Sequence, residues 1–369
     1  MKKFLTVLLL CFIFTLSFSG CKENPSDVFE FGLLVDNKCS IKSIKSKDVT
    51  SIEIPSTYEG RQVTQIGRNA FEGCENLVSI TLPEGIEKIE SEAFKDCKAI
   101  ENISLPNTIK EISGGAFSGC DSLNYNFYEN GNYLGNENNP YIVLVKGVDR
   151  NALSFQVNEN CIIIYGAAMD GFSKLASIDM PYSIKYIGAN AFNSCSSLET
   201  FLVPNFVTHL DCSWFWQCTA LKSITLSANI ETASIDYMWG CDSFAEFNVY
   251  STNSKFSAKD GVLYSKDLKT LLAYPIAKAQ SNFSIPSYVE TIATYAFNGC
   301  IYLKSLTMWS TIKNLRSGAV INCKSLNTVS FNGTMSEWIE LDNANLGWDH
   351  SFVVNKVYCS NGTINRSKA

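Results

Sequence analysis

Fourteen cysteines and two histidines are the residues of this chain best suited to chemistry. The histidines, His209 and His350, are 141 positions apart, outside any His-Glu-x-x-His pair, and two of them cannot form a three-histidine metal centre. No Gly-x-Ser-x-Gly elbow occurs, and no Gly-rich loop ends in Lys-Ser or Lys-Thr, so neither an activated serine nor a phosphate cradle is indicated. His209 lies beside Leu210 and reads as a surface or structural histidine. The 136–139 tract, Asn-Glu-Asn-Asn, has oxygen ligands suited to calcium, but a polar hairpin tip is the commoner use of such a run. Paired Asp and Glu brought together from distant positions stay open as a glycan-cleaving alternative. The cysteines form no Cys-x-x-Cys motif, and Cys212 and Cys218 lack the partners of a zinc site. No cofactor is indicated, and the expectation is a protein that is not an enzyme.

The spacing of the cysteines is more informative than their number. Cys74, Cys97 and Cys120 are 23 residues apart, each three residues after Phe71, Phe94 or Phe117, which in turn follow Ala70, Ala93 and Ala116. Leu77, Ile100 and Leu123 come three residues later, and Ile80, Leu82 and Pro83 return as Ile103, Leu105 and Pro106. After a break the same ruler gives Met169, Phe192, Phe215 and Met238 in the Phe column, and after a second break Phe297 and Val320. A leading turn, Ile52-Glu53-Ile54-Pro55, carries about five extra residues before Ile66. A period of this length marks a solenoid, in which no turn buries its apolar face alone.

Each turn has a readable shape. Phe71, Cys74 and Leu77 share one face of a short helix or 3₁₀ segment. Ile80 and Leu82 point inward from a strand whose outward residues are Ser79 and Thr81. Pro83 stops that strand, and Ile86 and Ile89 supply a second inward edge. The fold class is an α/β solenoid with a parallel β-ladder on one face and short helical or 3₁₀ segments on the other. Two β-hairpin insertions interrupt it, at about 124–154 and 251–280. The first joins Tyr133-Leu134 to Tyr141-Ile142-Val143 and is expected to project from the solenoid; the second folds about residues 265–269. In this setting one cysteine per turn acts as a small buried residue, since Phe172 takes its place in one turn and cannot form a disulfide. Cys39, Cys161, Cys212 and Cys359 lie off the column, and their pairing stays open.

The residues Ile80-x-Leu82-Pro83-x-x-Ile86-x-x-Ile89-x-x-x-Ala93-Phe94-x-x-Cys97-x-x-Ile100 resemble the BspA-like leucine-rich repeats, also called the Treponema pallidum type. The resemblance covers about residues 40–335. The segment Phe331-Asn332-Gly333-Thr334 with Trp338, ending at Val357-Tyr358-Cys359, is similar to the family's C-terminal cap. It implies a secreted or cell-surface protein, several relatives being adhesins for host matrix, epithelial cells or other bacteria. The family supplies no universal binding residue.

The start of the chain is a targeting segment. Lys2 and Lys3 precede an apolar stretch at 4–18, too short for a comfortable membrane span. The sequence Phe18-Ser19-Gly20-Cys21 resembles a bacterial lipobox, which makes Cys21 the expected lipidation site. Residues 1–20 are then a signal peptide, 21–40 an anchor and linker, 41–335 the solenoid and 336–369 a cap and tail. The expected localisation is exported, lipid-anchored to the envelope and outer-surface, touching the membrane only through that lipid. The net charge of −6 becomes −8 when Lys2 and Lys3 leave with the first twenty residues, so no general attraction to nucleic acid is expected.

Two consecutive turns break the pattern. Where others have Ala before the core Phe these have Trp214 and Tyr237, and where others have Glu72, Lys95, Ser118 or Asn193 they have Trp216 and Trp239. These four aromatics are the candidate binding patch, with an aromatic-packed flank that binds nothing as the alternative. The functional expectation is a surface adhesion module for a protein ligand. A structural envelope lipoprotein without an external ligand is the alternative, and a glycan-active enzyme a more distant one.

Overall fold

The computed structural model describes residues 25–235, 238–345, 354 and 356–365. The chain coils as a solenoid with β-ladders on two faces and a face of tight turns between them. The first ladder starts with Ser51–Glu53, Ser79–Thr81 and Asn102–Ser104, parallel, with Ile52, Ile80 and Ile103 in register. The 28-residue step from Ile52 to Ile80 contains the extra residues of the leading turn. In Ser79–Thr81 and Asn102–Ser104 the middle isoleucine is buried and its neighbours are exposed, as alternation at period two requires. The second ladder is built from the Ile89 column: Lys88–Ile89 pairs with Arg61–Ile66 on one side and Glu111–Ile112 on the other. Inside, Phe71, Phe94 and Phe117 stack with centroids 5.3 and 5.7 Å apart and planes within 9° and 6°. Such pairs contribute about 0.5–1.5 kcal/mol each beyond the area they bury.

The turn face is not a row of short helices. A helix would send every N–H back along its own segment. Here alternate N–H groups leave the turn. Those of Asn69, Phe71 and Gly73 donate to the carbonyls of Ser91, Ala93 and Lys95 on the next turn, at 3.2, 2.8 and 2.8 Å. Those of Ala70, Glu72 and Cys74 turn back to Gly67, Asn69 and Phe71. The alternation requires left-handed backbone at two positions four residues apart, found at Asn69 and Gly73, Glu92 and Asp96, and Asn190 and Ser194. Among the described residues one 3₁₀ segment forms on this face, Cys212–Phe215, capped by the Asp211 carboxylate.

Both insertions differ from the hairpins that spacing suggests. Each has three antiparallel strands, Asn126–Tyr128, Gly131–Leu134 and Val143–Gly147 in one, and Phe256–Lys259, Val262–Ser265 and Thr270–Ala273 in the other. Neither projects. The last strand of each joins the second ladder in parallel, at Ile163–Ile164 and Thr291–Ile292. Tyr133, Leu144 and Leu271 are thereby buried, and their burial holds the insertions in place.

A further interruption has no insertion behind it. The strands Ser177–Asp179 and Thr200–Leu202 are one period apart yet do not pair, and neither do Tyr186–Ile187 and His209–Asp211 on the other ladder. The turn face stays joined here, with Phe192 N–H bonded to the Trp214 carbonyl at 2.9 Å and Ser194 N–H to that of Trp216 at 2.7 Å. The solenoid opens like a book along this spine. The core differs at this junction from that of the other turns. Trp214 occupies the alanine column and is fully buried, its ring centroid 6.4 Å from Phe201 and 6.0 Å from Phe215. Phe201 also packs on Phe192 and Phe215, at 5.0 and 4.7 Å. An indole stands here where other turns carry a methyl group, and interiors packed at crystal density have little slack for that added volume.

The ends of the core are covered. A hairpin of Phe29–Leu33 and Lys38–Ile44 lays Phe29 against Phe71 at 6.3 Å. At the other end the helix Met335–Asn345 starts with a capping box in which Glu337 accepts from the Thr334 N–H and hydroxyl. It brings the buried Trp338 onto Phe331 at 5.3 Å.

Candidate functional site

The residue after the core Phe points outward from the turn face. Successive turns there carry charge and hydrogen bonds: Lys95 pairs with Glu72 at 2.9 Å, and the Asn193 amide donates to Asp170 at 2.6 Å. The Lys95 ammonium and the Asn69 amide hold the Glu72 carboxyl below its ordinary range. Trp216 and Trp239 continue this column with a different chemistry. They are 42% and 65% exposed, large values for the side chain that buries most area when it finds a partner. The Gln217 N–H donates to the Trp239 carbonyl at 2.9 Å, so the two indoles project from adjoining turns. That approach depends on Gly240, where φ is +74° and a Cβ would lie 3.0 Å from the Gln217 Cα.

The four aromatics do not form one patch. Trp214, expected as a surface residue, is 1% exposed and belongs to the core. The alternating backbone explains this, because it turns the alanine column inward with Ala70, Ala93 and Ala116 and the next-but-one residue outward. Tyr237 lies outside the described residues, as do Cys21 and His350. The surface candidates described are thus Trp216 and Trp239.

The remaining chemistry-bearing side chains are absorbed by the architecture. From Cys97 onward the thiols of the cysteine column donate to the carbonyl of the Phe column one turn earlier, as Cys97 to Phe71, Cys120 to Phe94, Cys218 to Phe192 and Cys241 to Phe215, at 3.0–3.1 Å. That carbonyl already accepts the N–H of its own turn's cysteine, so the thiol uses its second lone pair. A small apolar side chain with one weak donor suits this position, and cysteine alone supplies it. These cysteines are free thiols, as are the buried Cys39 and Cys161 and the half-buried Cys359. Burial pushes the Cys195 and Cys218 thiols up to about 12. His209 is exposed, with Nδ1 2.7 Å from the Thr232 hydroxyl. The Asn136 side chain binds the Asn138 and Asn139 N–H groups and the Leu105 carbonyl, so it serves as a turn former. No cluster of three metal-ligating side chains occurs among the described residues, and none of their helices is long and apolar enough to cross a membrane.

The profile of the BspA type leucine rich repeat region matches six copies, over residues 38–138, 149–260 and 276–340. The chain belongs to the BspA-type leucine-rich repeat family. Solved structures similar to it include the leucine-rich repeat protein of Treponema pallidum, with 24% identity over 60% of this chain and 91% of that one and a TM-score of 0.33. A leucine-rich cell surface protein of Faecalibacterium prausnitzii shares 18% identity over 85% and 96%, with a TM-score of 0.35. The pneumococcal vaccine antigen PcpA shares 16% over 83% and 80%, with a TM-score of 0.32. No curated protein matches the sequence. The BspA-type repeat accounts for the stacked core and the thiol column. It does not account for the gap at Trp214, whose groove sequence reasoning missed; the available signal was a tryptophan in an inward column of alanines.

Proposed function

We propose that this chain is an exported, lipid-anchored surface protein that binds a protein partner and performs no catalysis. Residues 1–20 serve as the signal peptide and Cys21 carries the lipid. The solenoid, about 41–335, presents the binding surface, and residues 336–369 cap it. The observation that carries the reading is the pair of exposed indoles, Trp216 and Trp239, in a column where earlier turns pair Glu72 with Lys95 and Asp170 with Asn193. Buried tryptophans dominate the energetics of protein interfaces, and a solvent-facing pair on adjoining turns forms an anchor of that kind. The acidic net charge opposes nucleic acid and anionic lipid as ligands and favours a neutral or basic protein surface.

The test uses residues 22–369 and its Trp216→Ala/Trp239→Ala variant, each applied to extracellular matrix and to intact epithelial cells. Adhesion of the parent protein, with loss in a variant that keeps the parent's unfolding midpoint, supports the assignment. Equal adhesion by both, or none by the parent, overturns it. Digestion of the chain by protease added to intact bacteria checks the outer-surface location.

A further inference from the structure

The gap between Ser177–Asp179 and Thr200–Leu202 is a groove of about 390 Å³ on the first β-ladder. One lip is formed by residues 178–182 and the other by 200–205, with Ser227 and Tyr250 at one side. Phe201 and Val203 are buried beneath it, while Tyr182, Leu202 and Tyr250 are 84%, 50% and 45% exposed. Across the groove the main chains of the two lips do not pair with each other. At three other junctions the N–H in the Val203 column crosses to the next turn, Val157 to Asp179, Val203 to Thr225 and Ile285 to Thr307, at 2.9–3.0 Å. Met180 holds that column here and makes no such bond to Leu202. Likewise Ala176, Lys222 and Ala245 donate back to Leu153, Glu199 and Lys222, whereas Glu199 makes no bond to Ala176.

We propose that this groove receives an extended peptide segment of a partner protein as an inserted β-strand, with apolar residues alternating with basic ones. Three observations converge on that occupant. Adjacent strands stand about 4.8 Å apart, so two strands flanking a third stand about 9.6 Å apart; Ser177–Asp179 and Thr200–Leu202, one period apart, are not paired and stand wider than a bonded ladder. The lips offer unpaired donors and acceptors in strand geometry, which an extended backbone satisfies on both its edges and a folded surface does not. Side chains of an inserted strand alternate between a floor of Phe201 and Val203 and a rim carrying Asp179, the single charged residue of the lining. The floor takes apolar residues and the carboxylate takes basic ones. The groove lies on a strand ladder whereas Trp216 and Trp239 project from the turn face, so the two sites act independently.

The probe is a fluorescein-labelled decapeptide of alternating Val and Lys, read by anisotropy against residues 22–369. Its control is the same peptide N-methylated at every valine, which keeps charge and apolar content but removes the donors of one edge. The proposal expects saturable binding, weakened about tenfold or more by N-methylation, together with slowed amide exchange at Met180 and Leu202. Leu202→Pro removes a lip N–H that has no partner, so it should preserve the unfolding midpoint and abolish binding. Trp216→Ala and Trp239→Ala should leave peptide binding unchanged, which separates failure of this site from failure of the indole pair. Equal affinity for the methylated and unmethylated peptides, or no binding of either, overturns the proposal.

Discussion

Replacing Trp214 with the alanine found in the same column of other turns tests whether this side chain props the solenoid open. Truncating a buried Trp or Phe to Ala costs about 3–5 kcal/mol where the surroundings cannot collapse. Here they can, because the turns on either side would pair at their usual spacing once the indole is gone. An intact junction such as that of Thr200–Leu202 with Ser223–Leu226 shows what would be regained on each ladder, the bonds from Val203 to Thr225 and from Lys222 to Glu199 being examples. With about four bonds restored over two ladders at about 0.5–1.5 kcal/mol each, closure returns about 2–6 kcal/mol. The midpoints of the two terms, about 4 kcal/mol each, cancel, so Trp214→Ala should cost far less than an ordinary Trp→Ala truncation in a core. Urea denaturation gives the free energy, and native-state amide exchange gives the geometry. The Met180 and Leu202 N–H groups, open in the parent, should become protected in the variant. A loss of the full 3–5 kcal/mol with unchanged exchange at those amides would refute the wedge and make Trp214 ordinary filling.

Further predictions concern the repeat itself. Phe94→Ala removes the middle ring of the Phe71–Phe94–Phe117 stack and should cost about 3–5 kcal/mol by urea denaturation, since the turns above and below are already in register. Buried thiols such as Cys195 and Cys218, pushed up to about 12, should resist iodoacetamide at pH 8 in the native protein and react at once in denaturant. Rapid native labelling would contradict their burial. Glu290 lies between Lys269 and Lys313, and hydrogen bonds to these lysines lower its carboxyl to about 2. Its folded value lies below the unfolded one, so its contribution is complete above about pH 4.3 and is lost as pH falls toward 2. Comparing the stability of the parent and Glu290→Gln from pH 6 to 2 should show a difference that shrinks across that window.

Much of the fold can be read from the sequence because the solenoid depends on position within a period. Ile80, Ile103 and Phe155 declare themselves inward by recurrence, and the cysteine column declares itself a core position once Phe172 stands in it. The turn face is harder to read. Its alternating backbone depends on the sign of φ at residues such as Glu92, Asp96 and Ser194, whose side chains carry no mark of it. The first insertion hides a strand because Asn126-Phe127-Tyr128 lacks apolar alternation, and its pairing comes from the reversal at Glu129 and Asn130. For Trp214 the spacing already placed it among buried alanines. Reading it as exposed gave weight to its size and chemistry over its column, and the open junction went unseen with it.

The thiol column has a consequence for how such a chain can change length. After the first turn, the cysteines of the column take their partner from the main chain of the turn that precedes them, and every turn has that carbonyl whatever its side chains. Duplication or deletion of a 23-residue unit therefore leaves no sulfur stranded, and odd and even numbers of cysteines are equally tolerated. A scaffold cross-linked in pairs would have to gain and lose units two at a time, while this one can be lengthened or trimmed by a single unit.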